Sequence, residues 1–158
     1  EATESARPAA GFDVGEMLAS LRTELAGQPH RADVVIDAAM SGLRINMDPD
    51  LFRLAARNLL ENAVNHSPPG ATVRCHAERR DQYLVIAIDD EGPGIPEEEM
   101  PRVTERFFRG RFKAAAGSGL GLSIVERALD RTGAELELCN RPSVGLSARI
   151  VLPKALAQ

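Results

Sequence analysis

The chain has 158 residues, a net charge of −4 and 44% hydrophobic residues, which is typical of one globular domain with a sizeable core. The acidic excess argues against a general nucleic-acid surface, because such surfaces are usually basic. No apolar run approaches the ~20 residues that a membrane-spanning helix needs, and no signal peptide is visible. Cys75 and Cys139 lie in strand-like surroundings without CxxC or histidine partners, which predicts reduced core thiols of a cytosolic domain.

The first part of the chain is predicted to form one helix and two short strands. Residues 1–11 are small, polar and contain proline, which indicates a linker or a disordered terminus. Asp13 followed by Glu16 forms a capping box, and the helical period that it begins ends at residues 27–30. Residues 34–38 and 43–47 are strand candidates on either side of a turn.

Residues 51–68 are predicted to form a helix that is apolar on most sides and therefore buried between other layers. Asp48 offers its N-cap and Pro49 its first helical residue. Polar side chains recur on one face at steps of three and four: Asn58, Asn62 and then Asn65 or His66. Buried carboxamides are costly without hydrogen bonds. The stripe therefore predicts a wall that faces a ligand; the alternative is that the amides bond neighbouring backbone.

The second part of the chain is predicted to supply most of the sheet. Its elements in order are antiparallel strands at 72–78 and 83–88, an irregular segment at 89–118, a helix at 120–131 and strands at 135–139 and 147–152. The pattern predicts an α+β fold with a mixed, mainly antiparallel sheet and helices on one face. A segment of ~30 irregular residues in a compact domain is usually a lid or a binding loop.

Two glycine motifs flank the irregular segment. Asp90-x-Gly92-x-Gly94 follows the apolar strand, where a carboxylate can accept a hydrogen bond from an amino group; a tight turn capped by the aspartate is the alternative. Residues 117–122, Gly-Ser-Gly-Leu-Gly-Leu, open a helix whose N–H groups and dipole favour an anion such as phosphate. This second motif fits neither the dinucleotide-binding nor the P-loop pattern. The cations between the two motifs suit a polyphosphate: Arg106, Arg109, Arg111 and Lys113. For Arg111, a solvated surface charge is the alternative.

Taken together and in this order, the motifs resemble those of a known family. Asn58-x-x-x-Asn62, Asp90-x-Gly92-x-Gly94 and Gly117-x-Gly119-x-Gly121 resemble the N, G1 and G2 boxes of the sensor histidine kinase catalytic domain, and residues 105–110 resemble its F box. This family belongs to the Bergerat-fold group, with gyrase, the Hsp90 chaperones and MutL. The resemblance implies a two-layer α/β sandwich over residues 12–154, with three helices on one face, an ATP lid at about 95–118 and a tail at 155–158.

The resemblance also implies an ATP and Mg²⁺ site. Asn62 would be the metal ligand through its side-chain oxygen, with Asn58 beside it near metal or phosphate. Asp90 would accept a hydrogen bond from the adenine amino group, and His66 would pack by adenine. The glycines that give the base room and the apolar walls would be Gly92, Gly94, Ile95 and Leu122.

The phosphates would be held by the lid and by the start of the following helix. Arg106 and Arg109 would contact the γ-phosphate and, with Asn58, would be the catalytic residues. Asn65 stands where the family often has a basic residue, so Arg109 or Lys113 must supply that charge or ATP binds more weakly. The residues that wrap the phosphates would be Gly117, Ser118, Gly119, Leu120 and Gly121.

The resemblance favours a kinase over a hydrolase. The ATPase branches of the fold place a glutamate base where this chain has Asn58, and an amide cannot act as a general base. None of the histidines lies in the helical context of a phosphoacceptor: His30, His66 and His76. We therefore expect a fragment of a longer kinase whose dimerisation and phosphoacceptor domain precedes Glu1.

The expected partners are that dimerisation domain and a cognate response regulator, and no nucleic acid. The fragment is expected to be a monomeric cytoplasmic domain, and the full-length protein a homodimer in the bacterial inner membrane. The alternatives are a Bergerat-fold ATPase, a serine kinase of the anti-sigma type, or a nucleotide-binding regulatory module without catalysis.

Overall fold

The computed structural model describes residues 11–27, 32–102 and 121–157. Within them the longer elements are α1 (Val14–Ala26), α2 (Pro49–His66), α3 (Gly121–Asp130), β4 (Thr72–Arg80), β5 (Tyr83–Asp89), β6 (Glu135–Asn140) and β7 (Leu146–Pro153). The shorter strands are β1 (Phe12–Asp13), β2 (Asp33–Ile36) and β3 (Arg44–Ile45). None of the helices described is long and apolar enough to cross a membrane.

Five strands form the main sheet in the order β2-β4-β5-β7-β6. Only β2 and β4 run parallel, and the other three pairs are antiparallel. Inward-facing residues of β4, β5 and β7 share one hydrophobic cluster with α1, α2 and α3. The predicted α+β class, with a mixed, mainly antiparallel sheet and three helices, is confirmed.

The two predicted strands near the start of the chain both exist, in shortened form, but in different sheets. Strand β2 is the parallel edge of the main sheet, whereas β3 pairs with β1 in a separate two-stranded sheet. A short 3-10 helix, Ala38–Met40, redirects the chain between them. The side chain of Asp13 then ties the two parts together: Oδ1 accepts from the Glu16 N–H and Oδ2 from the Gly42 N–H, both at 3.0 Å.

Helix α2 begins as the sequence predicts. Asp48 accepts hydrogen bonds from the N–H groups of Asp50 and Leu51, at 2.9 and 3.4 Å, and Pro49 opens the first turn. The prediction that α2 is buried on most sides is wrong, because Leu54 is 44% exposed. A two-layer fold covers only one side of each helix, and the buried stripe of α2 is Phe52, Ala55, Ala56, Leu59, Leu60, Ala63 and Val64.

The prediction that both cysteines are core thiols is wrong for Cys139. Cys75 is fully buried, but Cys139 is exposed. Alternation along β6 turns Leu136 and Leu138 toward the core, so Cys139 lies on the other face. Strand β6 is also an edge strand of the sheet, which leaves that face less covered.

The described part of the predicted tail is docked onto the domain. The Asn46 N–H donates to the Leu156 carbonyl at 2.6 Å, and Ala157 forms an antiparallel bridge with Ile45. Residues 155–157 therefore extend the small sheet in which β3 lies. The predicted linker, except Gly11, and the lid from residue 103 onward lie outside the described residues.

Candidate ATP-binding site

A pocket lies between α2, α3 and the paired strands β5 and β7. Its walls are mainly apolar and carry three polar side chains. The lining residues are Leu59, Asn62, Ala63, His66, Ile88, Asp90, Leu122, Leu146 and Ala148. Four predicted site residues therefore meet in one pocket: Asn62, His66, Asp90 and Leu122.

Asp90 follows the last residue of β5, and it is only 6% exposed. Its Oδ1 accepts hydrogen bonds from the N–H groups of Gly92 and Leu146, at 2.9 and 3.0 Å. Burial raises the pKa of the carboxyl, while these two hydrogen bonds favour the ionised form and oppose that rise. Because both donors use Oδ1 and no described residue donates to Oδ2, the second oxygen is available to a ligand in the pocket.

His66 is half-buried at the end of α2. Its Nδ1 lies 2.6 Å from the carbonyl oxygen of Asn62. A carbonyl only accepts, so Nδ1 must carry the proton. Burial lowers the pKa of the imidazole, and the carbonyl bond and the nearby charge of Asp90 oppose that shift only in part. His66 therefore contributes a flat, neutral ring to the pocket wall, which suits packing against an aromatic base.

The turn after β5 passes very close to the end of α2. A Cβ at Gly92 would collide with the carbonyl oxygen of His66, and one at Gly94 would lie 2.7 Å from Oδ1 of Asn140. The Glu91 N–H also donates to Oγ of Ser67, at 3.2 Å. Neighbouring protein atoms therefore occupy the space that a side chain at either glycine would need. That these glycines also leave room for a base stays a prediction.

The side-chain amides of Asn58 and Asn62 meet beside the first described turn of α3. A Cβ at Gly121 would lie 3.7 Å from Oδ1 of Asn62 and 3.8 Å from Oδ1 of Asn58. The Nδ2 of Asn58 donates to the carbonyl of Leu54 at 2.8 Å, which fixes the amide with its oxygen toward α3. The described residues contain no cluster of three or more histidine, cysteine or acidic side chains that could hold a metal. Amide oxygens are hard ligands that suit Mg²⁺, so these two fit the predicted metal site.

Other predicted site residues are placed apart from the pocket or are not described. Asn65 is exposed and is not among the lining residues, so its contact with phosphate stays a prediction. Ile95 is buried in the hydrophobic core rather than in the pocket wall, and its contact with adenine also stays a prediction. The predicted residues that lie outside the described parts of the chain are Arg106, Arg109, Lys113, Gly117, Ser118, Gly119 and Leu120.

The structure adds lining residues that the sequence analysis missed. Leu59 and Ala63 precede His66 by seven and three residues, so the helical period that placed the asparagines could have placed them as well. Leu146 and Ala148 had no such local signal. They reach the pocket only because β7 pairs with β5, with Ala148 opposite Ile88.

Comparison with known proteins shows which family the chain matches. Residues 47–156 match the family described as "Histidine kinase-, DNA gyrase B-, and HSP90-like ATPase". The sensor-like histidine kinase SenX3 of Mycobacterium tuberculosis is 39% identical over 118 residues, which are 73% of this chain and 29% of that protein. The sensor protein QseC of Escherichia coli is 37% identical over 123 residues, 78% of this chain and 26% of that protein. The chain thus spans less than a third of the length of these relatives.

Two solved structures have the same fold over almost their whole length. The mycobacterial sensor histidine kinase MprB superposes with a TM-score of 0.77 at 30% identity, covering 92% of this chain and 97% of that one. The ATP-binding domain of PrrB from Mycobacterium tuberculosis gives a TM-score of 0.69 at 31% identity, with 93% and 97% covered. The chain therefore belongs to the family of histidine kinase-, DNA gyrase B- and HSP90-like ATPases, in which it is an ATP-binding catalytic domain of the sensor histidine kinase type.

Proposed function

We propose that this domain binds ATP together with Mg²⁺ and transfers the γ-phosphoryl group to a histidine of a domain outside this chain. The observation that carries the proposal is the buried carboxylate of Asp90 at the end of an apolar pocket, held by two N–H groups at Oδ1. Such a group is costly to bury without further partners. Its remaining oxygen suits a ligand that brings a hydrogen-bond donor into the pocket.

Adenine has the matching chemistry. Its exocyclic amino group donates to Oδ2 of Asp90, whereas guanine presents a carbonyl oxygen at the same place and is repelled. The aliphatic walls, Leu59 and Leu122 among them, exclude water, and the ring of His66 offers a flat surface to the base. A hydrogen bond to a charged acceptor contributes about 1.5–3 kcal/mol, so we expect a preference for ATP over GTP of at least about 10-fold.

The amides of Asn58 and Asn62 define the metal side of the proposal. Asn62 would bind Mg²⁺ through Oδ1, with Asn58 beside it near the metal or the phosphates, and the ion would supply neutralising charge to the phosphates. Asn58 has no group that can take a proton from water, so the chain lacks a base for hydrolysis at this position. Phosphoryl transfer needs mainly positioning and charge neutralisation, to which Arg106 and Arg109 would contribute at the γ-phosphate. Asn65 would lie beside the phosphates without a charge, so Arg109 or Lys113 would supply the charge that a basic residue would bring there.

The remaining parts of the proposal concern the whole protein. The acceptor histidine would lie in a dimerisation domain of the same kinase, and a response regulator would receive the phosphoryl group. The full-length protein would be a homodimer in the bacterial inner membrane, with this domain in the cytoplasm. These assignments follow from the sensor histidine kinases that the chain resembles.

Binding is tested by titrating ATP, with and without Mg²⁺, into the parent chain and into the variants Asp90→Ala and Asn62→Ala. We expect Asp90→Ala to weaken ATP binding under both conditions, and Asn62→Ala to remove only the part that depends on Mg²⁺. Arg57→Ala is the matched control, because Arg57 lies on the same helix but pairs with Glu24 and Glu61. If both site variants bind ATP as the parent does, the site is wrongly assigned.

Catalysis is tested by incubating the chain with γ-labelled ATP and a separately produced histidine domain of the same kinase. Label on histidine, which is lost in acid and kept in alkali, is the expected result. Label on serine would identify a serine kinase instead. Release of free phosphate alone would identify a hydrolase, and binding without any transfer would identify a regulatory module.

A further inference from the structure

The β6–β7 hairpin forms hydrogen bonds with the turn after β5, which we call the G1 turn (residues 90–95). Nη1 of Arg141 donates to the main-chain carbonyl of Asp90 at 2.6 Å. In addition, the Asp90 N–H donates to the Leu146 carbonyl at 2.9 Å, and the Leu146 N–H returns a bond to Oδ1 of Asp90. The first residue of the turn is therefore fixed through its carbonyl, its N–H and its side chain, and all three bonds come from this hairpin.

The last residue of the G1 turn is held by one side chain of the same hairpin. Oδ1 of Asn140 accepts from the Ile95 N–H at 2.9 Å, and Nδ2 of Asn140 donates to the Ile95 carbonyl at 2.8 Å. Ile95 is only 3% exposed, and buried backbone groups without partners are costly. Asn140 therefore supplies both bonds that a neighbouring strand would supply, which neither aspartate nor leucine could do.

Close approach of the hairpin depends on Gly145. Its φ of +98° is rare for residues with side chains, and a Cβ there would collide with the Asp90 carbonyl oxygen. The Arg141 N–H donates to the Gly145 carbonyl at 2.8 Å, which closes the hairpin and orients Arg141 toward the turn. The contact between hairpin and turn is thus specific in its backbone as well as in its side chains.

We propose that Asn140 and Arg141 are positioning residues for adenine recognition, each holding one end of the G1 turn so that the carboxylate of Asp90 faces the pocket. The inference rests on the proposed function, because it assigns the two residues a role in the same site. Neither residue lines the pocket, so both act through the turn. The positive charge of Arg141 also favours the ionised form of Asp90, which is the form that accepts from an amino group.

The test separates a positioning role from a purely structural one by using two nucleotides. ATP and purine riboside triphosphate differ only in the 6-amino group that Asp90 is proposed to bind. The parent chain should bind ATP at least about 10-fold more tightly than the analogue. Arg141→Gln and Asn140→Asp should each reduce that ratio by about 5-fold or more, because a carboxylate displaced from the pocket loses its bond to the amino group.

Two further variants serve as matched controls. Arg149→Gln removes a nearby arginine, on β7, that bonds Ser147 and Glu137 instead of the turn, and it should leave the ratio unchanged. Arg141→Lys keeps the charge and a donor, and it should keep most of the preference. Urea unfolding of every variant identifies any that is not folded, and Asn140→Asp carries the test alone if Arg141→Gln is not folded.

The outcomes distinguish the inference from the proposed function. If the parent does not prefer ATP over the analogue, the role of Asp90 is wrong and this inference falls with it. If the parent does prefer ATP but folded Arg141→Gln and Asn140→Asp keep that preference, only the positioning role is refuted. If these variants lose affinity for both nucleotides equally, the positioning role is also refuted. In Asp90→Asn, Arg141→Gln should cause no further loss of preference, because coupled residues are not additive.

Discussion

Replacing Gly92 by alanine tests whether the close approach of the G1 turn to α2 shapes the pocket. The added Cβ would collide with the His66 carbonyl oxygen, and it would lie 3.0 Å from the carbonyl carbon and 3.3 Å from Cβ of His66. No flexible side chain can move aside, because the main contact is with backbone. The turn must therefore shift away from α2, and Asp90 shifts with it, because its Oδ1 is bonded to the Gly92 N–H.

The size of the effect follows from comparable overpacking. Inserting a methyl group into a tightly packed site costs about 1–3 kcal/mol, and a domain of this size loses about 2–4 °C in melting temperature for each kcal/mol. We expect Gly92→Ala to lower the melting temperature by about 2–12 °C. Displacement of the Asp90 carboxylate should also weaken ATP binding by about 10-fold or more.

Two other glycines provide matched controls for the assay, which combines thermal unfolding with ATP titration. A Cβ at Gly15 would lie 2.7 Å from the Met40 carbonyl oxygen, a similar clash but at α1. At Gly27 the nearest atom is the Glu24 carbonyl oxygen at 3.8 Å, and φ is −80°. Gly15→Ala should therefore destabilise the domain without changing nucleotide affinity, and Gly27→Ala should be neutral or stabilise it by about 0.4–1 kcal/mol.

Equal ATP affinity of Gly92→Ala and Gly15→Ala would contradict this prediction. That result would mean that the G1 turn adjusts to the methyl group without moving Asp90. An unchanged melting temperature for Gly92→Ala would refute the steric argument itself, whatever the affinity.

Three further predictions use other parts of the molecule. The folded-state pKa of His66 is lowered, so the unfolded chain binds more protons, and stability must fall as pH drops below about 6.5; urea titrations of His66→Phe should show a shallower fall. A thiol reagent should label the exposed Cys139 in the native chain but reach Cys75, whose buried thiol has its pKa raised to about 12, only on unfolding. Glu137→Gln removes partly exposed ion pairs with Arg80 and Arg149 and should lower the unfolding free energy by no more than about 1 kcal/mol for each pair; a larger loss would show that these pairs are coupled to packing.

The sequence predicted well those features that local chemistry determines. The capping side chains of Asp13 and Asp48 bond the N–H groups expected of them. Helix α3 (Gly121–Asp130) lies within the predicted 120–131, β5 is one residue longer than predicted at its end, and β7 is one residue longer at each end. In each case, the signal is a cap, a glycine or a hydrophobic period within a few residues. Pocket residues on α2 share this origin, because Asn62 and His66 are related by one helical turn.

Features that depend on distant pairing were missed. Nothing near residue 35 indicates that β2 pairs with β4 instead of with β3, because the choice is made by a parallel register with residues 72–75. The exposure of Cys139 follows from the edge position of β6, and that of Leu54 from the absence of a layer over the outer side of α2 among the described residues. Arg141 and Asn140 are polar residues beside a turn, which is an ordinary place for them; their role is visible only once β6 and β7 lie beside β5.

Two separate parts of the fold hold the adenine side of the site in place. Helix α2 contacts the G1 turn through the His66 carbonyl and through Ser67, whereas the β6–β7 hairpin contacts it through Asn140 and Arg141. A functional group is placed accurately when neighbouring structure holds it by several independent contacts. Loss of either support alone should therefore reduce the preference for adenine without abolishing folding. Removing both, in Asn140→Asp combined with Gly92→Ala, should lower ATP affinity by more than the two single effects combined, because each support limits the movement that the other permits.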